Sequence, residues 1–162
     1  MSGKPVPVAI PRALLEAVYR EARAAFPAEC CGWLTGPKGG DDATTLRAAK
    51  NAYDPKNHPT ASDRTAETAY VIEGAELLEL TRGLDGATPA RVVYHSHPNG
   101  RAYFSDTDRA VATDPWGDGP MLPVQQLIVG IDAARVVHAK LFAWSDDARG
   151  FVEVAELDGA AI

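Results

Sequence analysis

His95 and His97 stand two residues apart, behind the β-prone run Val92-Val93-Tyr94. Side chains two apart in a strand point to the same face. Two converging imidazoles can supply two nitrogens to one cation, at about 2.0–2.1 Å each, without bending the backbone. Pro98-Asn99-Gly100 then turns the chain, and Ser105-Asp106-Thr107-Asp108 carries a helix-start signal with Ser105 as its cap. A helix beginning there aims its first turn back toward the histidines and offers Asp108 as a third ligand. Two histidines and one carboxylate leave the fourth position to water, which is the composition of a catalytic rather than a structural zinc site.

Each part also has a plainer reading. Ser105-x-x-Asp108 is a capping box that needs no metal, and a His-x-His pair can serve as ordinary hydrogen-bonding groups. The two signals at this spacing together favour a metal. Other His-x-His metal folds fit less well. An amidohydrolase barrel needs upwards of about 200 residues, and the zinc deaminases need Pro-Cys-x-x-Cys. A cupin-like site wants a glutamate soon after the second histidine, where Arg101 and Ala102 stand. Glu29, just behind Pro27, reads by itself as solvated surface. Cys30 and Cys31 read as buried strand residues rather than nucleophiles, with no histidine close by in sequence. His138 shares strand parity with Lys140, and His58 lies in a polar stretch, so both are expected in solvent and neither as a ligand.

His95-Ser96-His97-Pro98, six residues, Ser105, two residues and Asp108 resembles the complete His-x-His-Pro-x6-Ser-x2-Asp signature of the JAMM (MPN+) metallopeptidases. Pro27-Ala28-Glu29-Cys30-Cys31-Gly32 is similar to the segment that opens the second strand in bacterial members. The resemblance extends from about Ile10 to Ala155. It implies the MPN fold, cytidine-deaminase-like, and one zinc ion per chain held by His95, His97 and Asp108. It also implies Glu29 as general base and Ser105 as a donor to the tetrahedral intermediate.

Bacterial relatives with this pattern trim or deconjugate ubiquitin-like proteins, sulfur carriers among them. The resemblance therefore implies hydrolysis of the amide bond after the C-terminal tail of such a partner. Two rival readings are a non-catalytic MPN scaffold that binds a partner protein and a RadC-like, DNA-associated branch. The scaffold reading is weakened because the ligand set stands complete. Phe104 departs from the proline that many relatives place before the serine. The stretch 114–123 has no role in the resemblance, and its Trp116, Met121 and Leu122 are candidates for a docking patch.

The elements that must position these groups are legible from periodicity. Residues 5–10 read as a short strand. Leu14, Leu15, Val18, Ala22, Ala25 and Phe26 then recur at helical spacing until Pro27. Residues 30–35 and 44–49 read as a hairpin about a Gly-Pro-Lys-Gly-Gly turn. Residues 51–64 read as a surface loop and 68–72 as a strand, followed by a second helix through Leu84. A strand over 91–97 and a short helix over 105–113 frame the candidate ligands. Three closing strands are expected over 125–131, 136–144 and 151–155. Strands and helices interleave without strict βαβ alternation, so the expected class is α/β or mixed α+β, a mixed sheet with packed helices.

At 162 residues, residues 1–162 are expected to form a single domain. Two adjacent cysteines build no disulfide framework, and no uncharged stretch reaches the length of a membrane helix. The protein is expected to be cytoplasmic, with no membrane partner. A net charge of −6 disfavours a phosphate backbone, so no nucleic-acid partner is expected. A homodimer is compatible with all of this.

Overall fold

The computed structural model describes residues 4–51, 72 and 74–162. The 14 residues of α1 (Arg12–Ala25) bury Leu15, Val18, Tyr19 and Ala22, one stripe at helical spacing. Phe26 leaves the helix in extended conformation, and Pro27 cannot continue it. A hairpin of β1 (Cys31–Thr35) and β2 (Thr45–Ala49) follows, then α2 (Gly74–Gly83), β3 (Ala90–His97) and α3 (Asp106–Ala112). The chain closes with β4 (Gln125–Ile131), β5 (Val136–Ser145) and β6 (Gly150–Ala160).

These six strands form one sheet in the order β2-β1-β3-β4-β5-β6. Only β3 and β4 run parallel; the other neighbours are antiparallel. The class is therefore mixed α+β. On one face α1 packs against Leu34, Val92, Tyr94, Leu127, Val129 and Leu141. Strand alternation sends the intervening side chains of β3, including both histidines, to the opposite face. That face carries two smaller apolar clusters. Leu80 of α2 packs with Trp33, Val93 and Val124 in one, and Ala112 of α3 with Phe104, Ile128, Phe142 and Phe151 in the other.

Two expectations need correction. Residues 5–10 do not form a strand; only Ala9 makes an isolated bridge, to Asp42. Pro5 and Pro7 have no N–H to give a ladder. Instead the Gln125 side chain acts as the partner, accepting from the Val8 N–H at 2.9 Å and donating to the Val6 carbonyl at 2.8 Å. The last strand runs past 155, because β5 continues to pair with it as far as Val136 opposite Ala160. The loop expected at 51–64, the strand expected at 68–72 and His58 lie, apart from Asn51 and Ile72, outside the described residues.

Leu34 is fully buried beneath α1, whereas Leu78 on α2 is 47% exposed. Leu34→Ala is expected to lower unfolding free energy by about 2–5 kcal/mol. Leu78→Ala is expected to change it by less than about 0.5 kcal/mol. Urea denaturation of both variants checks the assignment of the two faces.

Candidate metal centre

Strand β3 lies inside the sheet, so its side chains are shielded by neighbours on both sides. His95 pairs with Cys31 of β1 and Ile128 of β4, and His97 pairs with Gly130 of β4. Both imidazoles are buried. Their Nε2 atoms stand 3.2 Å apart. Asp108, from the first turn of α3, places Oδ1 3.2 Å from His95 Nε2 and Oδ2 3.2 Å from His97 Nε2. Glu29, buried just before β1, has a carboxylate oxygen in the same cluster; its ligand atom and those of the two histidines all lie within 4.8 Å of one another. Such a buried Glu/His/His group could hold a metal ion.

The donor chemistry fits a cation. His97 Nδ1 lies 3.2 Å from the Arg101 carbonyl, which can only accept, so Nδ1 carries a proton, and in the neutral ring Nε2 is then the atom that presents a lone pair. Burial pulls the His95 pKa below its usual value, against the opposing pull of Asp108. For Asp108 burial acts upward, but His95 and His97 outweigh it and hold the carboxyl well below the usual carboxylate range. A bound cation would favour the neutral imidazole and the ionised carboxylate that metal ligands require. Two atoms bound at about 2.0–2.1 Å to one tetrahedral centre stand about 3.3 Å apart. The observed separations of 3.2 Å match that spacing.

The capping and ligand readings of Asp108 are compatible. Ser105 Oγ accepts from the Asp108 N–H, and the Ser105 N–H donates to Asp108 Oδ2, each at 3.1 Å. The capping box thereby sets the rotamer that turns both carboxylate oxygens toward the histidines. Phe104 is the anchor of this loop. It stacks on Phe142 and tilts against Phe151, with ring centroids 5.1 Å away in both cases. Arg109 donates to the Phe151 carbonyl at 2.9 Å and lies over the Phe104 ring, tying α3 to β6.

Several groups around the site escaped the sequence reading. Ser96 Oγ, on the α1 face of β3, accepts from the Cys30 N–H at 2.8 Å, and the Ser96 N–H donates to the Cys30 carbonyl at 3.2 Å. That pair pins the residue next to Glu29 against β3. Asn51 donates to the Glu29 carbonyl at 3.1 Å from the end of β2. The exposed ring of Tyr103 meets His97 edge-on, with centroids 5.0 Å apart. Only Ser96 left a trace in sequence, since its parity between two histidines assigns it to the other face. His138 must be corrected: it is partly buried and bonded to the Ala102 N–H and to Glu156, rather than free in solvent.

A family model described as prokaryotic homologs of the JAB domain matches residues 11–144. The chain belongs to this family. Over 104 residues this JAB-domain chain is 35% identical to the CysO-cysteine peptidases of Mycobacterium bovis and Mycobacterium tuberculosis. That match spans 63% of this chain and 63% of the length of those relatives. The fold is also similar to the solution structure of protein DSY2949 from Desulfitobacterium hafniense, with TM-score 0.61, 21% identity and 90% and 88% of the two chains covered. A solution structure of a protein from Salinibacter ruber aligns with TM-score 0.56, 21% identity and coverage of 90% and 87%.

In this JAB domain Leu122 turns inward against the Trp33 cluster, so the expected docking patch loses one member, while Trp116 and Met121 stay exposed. No described helix is long and apolar enough to cross a membrane. Cys30 and Cys31 are both buried as expected, but only Cys31 lies in a strand, Cys30 standing just before β1, and burial above all pushes both thiols up to about 12. A thiol reagent at about pH 8 should therefore modify the folded protein at least about tenfold more slowly than the chain in urea. Equal rates would place a reactive thiolate beside Glu29.

Proposed function

We propose that this chain is a zinc-dependent peptidase or isopeptidase of the JAMM type, working as one domain. It would hydrolyse the amide bond that follows the C-terminal tail of a ubiquitin-like or sulfur-carrier protein. The observation that carries this reading is the convergence of His95, His97 and Asp108 at 3.2 Å with Glu29 in the same buried cluster. His95, His97 and Asp108 are assigned as the zinc ligands. When bound, zinc supplies a Lewis acid that polarises a carbonyl and makes a nearby water more acidic.

Glu29 is assigned as general base and then acid. Its carboxylate takes one proton from the attacking water as the new bond to the carbonyl carbon forms. It returns that proton to the nitrogen as the C–N bond breaks, leaving a carboxyl-terminated tail and a free amine. Ser105 Oγ already accepts from the Asp108 N–H, which leaves its own O–H to donate to the oxygen that gains charge. Similarity to peptidases named for a CysO-cysteine substrate supports the sulfur-carrier class. A glycine-ended tail suits a recessed site, because glycines let a backbone approach without side chains meeting the walls. Trp116 and Met121 are the side chains offered for contact with the body of the carrier.

Metal analysis of the purified protein is expected to find one zinc per chain, largely lost in His97→Ala. Glu29→Gln should keep its zinc and lose turnover by about 10²–10⁴-fold, read by intact mass on a sulfur carrier extended beyond Gly-Gly. A variant that loses metal together with activity would make Glu29 a ligand instead of the base. In the same assay, changing both tail glycines to valine should abolish cleavage; equal cleavage would exclude a narrow tail groove.

A further inference from the structure

We propose that His138, held by Glu156, is a positioning residue for His97, acting through the peptide group between Arg101 and Ala102. The proposal rests on the reading of His97 as a metal ligand. His97 of β3 pairs with Gly130 of β4, and Gly130 pairs with His138 of β5. The three therefore form one row across the sheet, with the two histidines about 9.5 Å apart along it. No direct contact spans that distance. The peptide of residues 101 and 102 lies across the middle of the row, its carbonyl 3.2 Å from His97 Nδ1 and its N–H donating to His138 Nε2 at 3.1 Å.

Gly130 makes room for that peptide. A Cβ there would lie 2.8 Å from the Gly100 oxygen and 2.9 Å from both the Ala102 nitrogen and the Arg101 carbonyl carbon. The neighbouring Gly100 N–H donates to the Ile131 carbonyl at 2.9 Å, and Gly100 adopts φ of 78°, which favours glycine. The turn after the second histidine is thus pressed onto β4 and β5 rather than extended into solvent.

The proton inventory of the row has a single solution. A backbone N–H can only donate, so His138 Nε2 must present a lone pair. Its proton then sits on Nδ1, which faces Glu156 Oε2 at 3.0 Å. At the other end, the carbonyl forces the proton of His97 onto Nδ1 and frees Nε2 for the metal cluster. Every bond donates in the same direction, from His97 to the peptide, from the peptide to His138, and from His138 to Glu156. Hydrogen bonds aligned in this way strengthen one another. The negative charge of Glu156 draws the whole series toward it and makes His97 a stronger donor of electrons to a cation, as carboxylates behind ligating histidines do. Among the neighbours, Lys140 is taken up by Glu153 at 3.0 Å, and Asp158 stands opposite His138 in register. Glu156 is 58% exposed while His97 is buried, so the series runs from the solvent edge of the sheet to its interior.

The first test needs no metal. Nitrogen NMR of the histidine rings in the isotope-labelled, metal-free full chain, at about pH 8 where an ordinary imidazole is neutral, should show His138 as the Nδ1–H tautomer. The Nε2–H tautomer would overturn the proposal, because the Ala102 N–H would then have no acceptor in this ring. The second test is competition with a chelator for cobalt. His138→Leu should weaken binding by about 10- to 100-fold and shift the visible cobalt band. His138→Gln, whose side-chain oxygen can still accept from Ala102, should remain within about threefold of wild type. Should His138→Leu not fold, Glu156→Leu on the exposed edge should move affinity and band in the same direction by a smaller amount. Unchanged affinity and spectrum in the folded variants, with wild type binding normally, would overturn the positioning role alone. Wild-type protein that binds neither cobalt nor zinc would overturn the metal reading as well.

Discussion

Two imidazole nitrogens and a carboxylate stand 3.2 Å apart in a buried cluster, and when both nitrogens offer lone pairs, as ligands must, these groups repel one another unless a positive charge stands between them. Left to themselves the side chains would rotate away. The rest of the architecture makes that rotation costly. His95 is confined between β1 and β4, His97 is tied through Nδ1 to the Arg101 carbonyl, and Asp108 is locked by the capping box of α3. Buried acceptors held this close are an expense that the core beneath α1 offsets, with Val18, Tyr19, Leu34, Val92, Tyr94, Leu127 and Val129 almost wholly withdrawn from solvent.

The sheet order explains how distant parts of the chain reach one point. Because β3 and β4 are parallel neighbours, the chain must cross over between them, and that crossover lies on the face carrying the histidines. Phe104 sinks into the cluster of Ile128, Phe142 and Phe151, and α3 starts immediately after it. The Glu29 segment arrives from the other side, where β1 pairs antiparallel to β3 and the Cys30–Ser96 bonds fix its height. On the far edge, Arg47 joins β2 to Glu76 and Glu79 of α2 and covers Trp33, which steadies the strand that leads to Asn51.

Much of this was legible in one dimension because it depends on local rules. The period of two on β3, the helical stripe of α1, the proline at 27 and the cap at Ser105 each act within a few residues. His95, His97 and Asp108 fell within 14 residues of sequence, so strand parity and a helix start were enough to bring them together. Phe104 looked like a departure that would reshape the loop, and its stacking on two other phenylalanines could not be read, since those partners lie about 40 residues away in the chain.

By itself, then, the sequence determined the local elements and the parity of the two histidines, and the family resemblance named the groups offered as ligands. Tertiary structure decided which strand neighbours which, and everything that follows from register. Residues 5–10 had the alternation of a strand, but the prolines removed its donors and a glutamine side chain from β4 took the partner's place. His138 had the parity of an exposed residue, yet the row through Gly130 put it within 3.1 Å of the Ala102 nitrogen. Glu29 read as surface from its own context and as general base only through the family resemblance, and it is the placement of β1 beside β3 that buries it. The physical reason is common to all three: hydrogen-bond partners across a sheet are set by global register, and no periodicity within a single segment encodes it.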